Sequence, residues 1–119
     1  MTTVLFVAFG AAIGAPARYI TDRYVQARYG TGFPWGTLAV NVTGSLVLGL
    51  VLGMPLAPEL TALVGTGFCG ALTTYSTFSW EALTFARRGE RAAAFAYVLV
   101  SVLAGLGAAA LGAILARAL

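Results

Sequence analysis

The amino-acid sequence predicts an all-α membrane protein of four transmembrane helices, the third of them broken near mid-membrane. Three observations carry that expectation: long charge-free apolar blocks, very little charge overall, and a run of hydroxyls inside the third block. Of the 119 residues, 60% are hydrophobic and 9% charged, and the mean hydropathy is +0.90. A soluble domain of this length needs a polar surface that so few charges cannot supply. Met1 to Ala17, Phe33 to Pro58, Leu60 to Trp80 and Ala92 to Ala116 contain no charged residue. A spanning helix needs about 20 such residues at a rise of roughly 1.5 Å each.

The first helix is expected over about 3–24, extending past Arg18, whose long stem carries its charge towards the interface. Ala15-Pro16-Ala17 mimics a signal-peptide cleavage site, but Met1-Thr2-Thr3 has no basic side chain and Gly10 and Gly14 interrupt the apolar run, which favours a retained helix. A connection ending in Tyr29-Gly30-Thr31-Gly32 has the composition of a turn. The second helix is expected over about 33–54, and a tight connection with Pro55 and Pro58 follows. The third covers about 59–86, broken near 73–77, and the fourth about 91–117, after a connection in which Gly89 suits a helix stop. All of this forms one domain, 1–119.

Charge sets orientation. Arg23, Arg28, Arg87, Arg88 and Arg91 fall on the side of the first and third connections, and Arg117 alone on the other. The positive-inside rule then puts those connections in the cytoplasm and both termini outside. With no basic patch beyond short loops, nucleic acid is not an expected partner; the lipid bilayer is. Histidine is absent and Cys69 is the only cysteine, so the usual metal ligands, the usual general base and an internal disulfide are all missing. Glycines recur along the helices, as at Gly10 and Gly14 or Gly49 and Gly53, and let helices approach closely, within one chain or between two. A thin bundle of four helices predicts an oligomer, most simply a dimer.

Thr37, Asn41 and Ser45 lie at intervals of four on one face of the second helix. An amide in so apolar a helix either bonds a neighbouring helix or lines a pore or binding site. In the third helix Gly65, Gly67 and Gly70 precede Thr73, Thr74, Ser76, Thr77 and Ser79, a density of glycines and hydroxyls that favours a break. Such backbone at membrane depth must be buried in protein or line a watery cavity. A broken helix offers carbonyls to a cation at the end of its first half and favours an anion at the start of its second; the alternative is a kink whose hydroxyls satisfy their own backbone. Tyr75 and Phe78, three apart, suit packing or a path along ring edges that carry partial positive charge. Tyr97 and Ser101 form a short polar stripe on the fourth helix, and Glu81 ends the uncharged run of the third.

Gly14-Ala15-Pro16-Ala17-Arg18-Tyr19, Gly36 to Ser45 (GTLAVNVTGS) and Gly67 to Glu81 (GFCGALTTYSTFSWE) together resemble the Fluc (CrcB) fluoride channels, over nearly the whole chain. The resemblance implies an antiparallel dimer of the dual-topology type with two fluoride pores, in the cell inner (plasma) membrane as a multi-pass protein, conferring fluoride resistance. It implies a structural sodium ion (Na+) at the dimer interface on the backbone carbonyls of Gly70 and Thr73. Asn41, Tyr75, Ser76, Thr77, Phe78, Glu81, Tyr97 and Ser101 would line the anion path, with Arg18 near a vestibule. Three departures stand out. Tyr75 replaces the usual phenylalanine, Gly105 and Ala109 end the helix-four stripe early, and the arginine bias conflicts with insertion in both orientations. A paralogous chain of opposite topology is therefore the alternative partner to a second copy.

Other functions fit less well. A proton-coupled small multidrug exporter needs an ionisable group inside the membrane, and the first helix has no acid before Asp22. A non-transporting membrane assembly subunit would use the same polar faces only to grip a partner. A membrane enzyme is the weakest reading, because no nucleophile, base and orienting group occur together.

Overall fold

The computed structural model describes residues 1–30 and 32–119. Helix α1 (Thr2–Tyr29) leads to α2 (Trp35–Gly53). Next, α3 (Pro58–Thr61), a π-helix π1 (Ala62–Cys69) and α4 (Gly70–Leu72) run on from one another. The chain ends with α5 (Ser76–Arg87) and α6 (Arg91–Ala118). No strand occurs among the described residues, and α1, α2 and α6 are each long and apolar enough to cross a membrane. The long axis of 47 Å accommodates a hydrocarbon layer of about 30 Å with helix ends emerging on both sides.

The first helix continues to Tyr29, where the sequence predicts an end near 24. Side-chain pairs one turn apart support the extension. Gln26 donates to Asp22 at 2.8 Å, and Arg23 donates to the Tyr19 hydroxyl at 3.2 Å while lying 5.6 Å from its ring centroid. Such pairs each add a few tenths of a kcal/mol, about 0.2–0.5, to a helix. The stop comes at Gly30, whose φ of 82° is a left-handed conformation that glycine adopts without steric penalty. The turn expected over Tyr29 to Gly32 includes Thr31, which lies outside the described residues.

Glycine brings backbones together in two places. A methyl group at Gly10 would collide with the backbone of Leu63 and Phe68, and one at Gly67 with the backbone of Val7, so α1 lies directly on π1. Likewise Gly49 meets the backbone of Ala109 and Gly112 that of Leu46 and Leu50, joining α2 to α6. These contacts use the small-residue spacing within one chain; Gly107, in contrast, faces open space. The π-helix was not expected. Its wider turn brings the N–H of Gly70 to the carbonyl of Gly65, and such turns occur mostly as local bulges in helices, frequently at functional sites.

The ends of the elements meet in an aromatic cluster. The Phe33 ring, just before α2, lies 6.3 Å from Phe85 of α5 and 5.4 Å from Tyr97 of α6, edge-on to the latter. The first and third connections therefore share one end of the molecule. Tyr97 is the centre of this cluster and is 0% exposed.

Candidate functional site: the interrupted third helix and its surroundings

Between Leu72 and Ser76 the chain leaves the helix. Thr73 is extended, with φ −80° and ψ 161°, and both its N–H and its hydroxyl donate to the Cys69 carbonyl, at 3.0 and 2.8 Å. In an unbroken α-helix the N–H of Thr74 would donate to the carbonyl of Gly70. Here it donates to Oδ1 of Asn41 at 2.8 Å, and Nδ2 of Asn41 donates back to the Thr74 carbonyl at 3.0 Å. The Gly70 carbonyl is thereby left without the N–H that a continuous helix would supply. Gly44, one turn after Asn41, has no side chain to hold off the Thr73 methyl that packs against it.

The sequence places the irregular stretch near 73–77, but Ser76 and Thr77 belong to the first turn of α5. The cause is a local cap. The hydroxyl of Thr74 accepts the N–H of Thr77 at 3.2 Å, satisfying one of the donors that a helix start leaves open. The Ser76 hydroxyl lies 3.5 Å from that of Thr74. One residue, Thr74, thus joins α2 through its backbone to α5 through its side chain.

On the α6 side, the ring of Phe78 stands between two others, 6.2 Å from Tyr75 and 5.2 Å from Tyr97. Tyr75 projects away from the chain and is 80% exposed, whereas Phe78 is half-buried. The Tyr97 hydroxyl donates to Glu81 at 3.0 Å, linking two of the candidate path residues across helices. Ser101 follows on the same stripe, and its hydroxyl is buried with no hydrogen-bond partner among the described residues.

Two hollows border the interruption, and a third lies beyond it. A groove of about 370 Å³ is lined by Asn41, Ser45, Gly70 and Thr73, with Gly65 and Thr66. A smaller hollow of about 170 Å³ brings Arg18 and Asp22 of α1 to Thr37, Thr74 and Thr77. A third, of about 150 Å³ at the aromatic end, is lined by Trp80, Glu81, Thr84 and Arg88. The structure therefore gathers Asn41, Gly70 and Thr73 on one side and Arg18 and Thr77 on another. Glu81 and Tyr97 pair separately, and Tyr75 and Ser76 stand largely on the surface.

Four residues of these surroundings were not singled out from sequence. Thr74 was read only as one hydroxyl among several, although its place four residues after Gly70 marks it as the donor a break would divert. Asp22 lies one turn after Arg18, a spacing that puts both on one face. Arg88 counted only toward topology. Phe33 carried no signal, because its role comes from contacts distant in sequence.

A model of the family described as CrcB-like protein, Camphor Resistance (CrcB), matches residues 5–113. A relative from Frankia casuarinae, named Fluoride-specific ion channel FluC 1, is 58% identical over a match covering 96% of this chain and 95% of its own. A relative of the same name from Streptomyces avermitilis is 56% identical, with 97% and 96% covered. One from Rhodococcus jostii, Fluoride-specific ion channel FluC 2, is 51% identical, with 92% and 95% covered.

Proposed function

The chain belongs to the CrcB-like family, and from that premise we propose that it is a fluoride-specific channel through which the anion passively leaves the cell. The observation that carries this reading is the 58% identity, over nearly the full length, to a relative named as such a channel. The protein is a multi-pass membrane protein, and the plasma membrane is the site at which efflux relieves toxicity. Hydrogen fluoride crosses lipid as a neutral acid and ionises in a less acidic cytoplasm. A negative-inside potential then drives the anion out, at about 2.3 kcal/mol per charge per 100 mV.

Selectivity requires replacing a tightly held hydration shell with donors suited to a small anion. Asn41, Ser76, Thr77 and the edges of Tyr75 and Phe78 meet that need without a fixed full charge. The Phe78 ring packs against that of Tyr97, centroids 5.2 Å apart, which restrains its orientation. Glu81, Tyr97 and Ser101 continue the polar track, and Arg18 lines a vestibule that draws the anion in. In this reading the interruption at Thr73 to Tyr75 lies at mid-membrane, and the exposed Tyr75 faces a second, antiparallel chain.

The residues also fit a small hard cation, since the Gly70 carbonyl is released from helical bonding beside Thr73 in the same groove and carbonyl oxygens are suitable ligands. A structural sodium held by Gly70 and Thr73 of each chain would supply a fixed positive charge at the dimer interface. Arginine placement favours a second reading of the partner: a chain biased to one orientation pairs best with a paralogue of opposite topology. The names FluC 1 and FluC 2 among the relatives fit such pairs. Fluoride release from liposomes holding this chain alone tests both. Release supports the homodimer, silence rescued by a paralogue supports the heterodimer, and silence in both rejects the channel.

A further inference from the structure

The Asn41 amide has two N–H donors and a carbonyl oxygen. Thr74 takes one donor and the carbonyl in a two-bond pair, at 3.0 and 2.8 Å. Only one N–H remains to meet an anion. We infer that Asn41 is a positioning residue, a side-chain substitute for the missing helical turn, which holds the released Gly70 carbonyl and the start of α5 in fixed relation. The inference rests on the channel reading for its consequence, but the pairing itself does not.

Two links run from that pair. Backbone pairing keeps the N–H of Thr74 away from Gly70, whose carbonyl stays available in the groove that Asn41 and Thr73 also line. Through its side chain, Thr74 accepts the N–H of Thr77 and so fixes the first turn of α5, which carries Ser76, Thr77 and Phe78. Without Asn41, the N–H of Thr74 can return to Gly70, as in an ordinary helix. That closes the cation side and turns the anion side together. Buried backbone groups must find partners, so Asn41 decides which partner Thr74 has. A single amide thus couples the two halves of the interrupted span, in addition to offering its last N–H to the anion.

Amide hydrogen exchange at single residues tests this, with the Ala94 N–H, bonded to the Glu90 carbonyl at 3.0 Å, as the internal reference in α6, away from the interruption. In the unaltered chain the Thr74 N–H is expected to exchange slowly, and equally so with sodium fluoride or without it. In Asn41→Ala its rate relative to Ala94 rises about tenfold, the loss of one hydrogen bond, or its nitrogen shift moves to the value of an unbroken helix. Three results would overturn the inference: an unchanged Thr74 signal in Asn41→Ala, equal acceleration of Thr74 and Ala94, or acceleration of Thr74 by fluoride in the unaltered chain. The last shows the amide leaving Thr74 for the anion, and needs no variant. Fluoride flux is measured separately on the same preparations. Absence of flux both alone and with a paralogue, with the exchange pattern intact, rejects the channel, not the pairing.

Discussion

In the proposed channel, Phe78 is the side chain that would join packing to permeation. Its ring meets Tyr97, which is fully buried and bonded to Glu81, and on the proposed path its replacement by another apolar side chain would alter permeation while the helices stay packed. Phe78→Ile is expected to abolish fluoride efflux from liposomes while the protein still elutes as an assembled species in size-exclusion chromatography. Tyr97→Phe removes one hydrogen bond and leaves Glu81 without that donor, a loss of about 0.5–1.5 kcal/mol. A thermal melt in detergent should show the lower stability. At this scale the sequence was informative for polar atoms in an apolar setting: Asn41, Glu81 and Tyr97 all stand out. It was uninformative for partners, because the bond from Asn41 to Thr74 spans 33 positions and no local pattern encodes it.

Among the elements, the interruption and the glycine contacts have different origins. The interruption follows from a local conflict: Thr73 spends its hydroxyl on Cys69, and Thr74 finds a better-placed partner in α2. Glycine and hydroxyl density signalled such a site, but its narrow extent depended on the Thr74 cap of α5. The π-helix had no signal in sequence, since apolar residues with glycines suit either helix type. At Gly49 any side chain meets the Ala109 backbone. Gly49→Val must therefore push α2 from α6, at about 1–3 kcal/mol or more, and reduced recovery of folded protein in chromatography checks this. The same substitution would be harmless if these helices were held apart by larger neighbours.

For the molecule as a whole, arginine placement is the main determinant of orientation. A reporter fused after Leu119 is expected to read as external in cells. Replacing Arg87, Arg88 and Arg91 by glutamine should give a mixed population, seen as labelling of an introduced cysteine from both sides. Fold class was legible because a bilayer imposes a length and a hydropathy that composition reveals directly. Relative helix placement was not, since it depends on close backbone contacts such as Gly10 on Leu63, which spacing permits without specifying. The proposed partner chain lies further out still: the groove beside Gly70 and the exposed Tyr75 are where a second chain would pack.

Ion release from liposomes, followed with a fluoride electrode and a chloride electrode in parallel, tests the central claim most directly. The chain, alone or with a paralogue of opposite topology, should release fluoride far faster than chloride, and Asn41→Asp or Phe78→Ile should stop the release. Equal release of both anions, or unaltered fluoride release from both variants, would contradict the account.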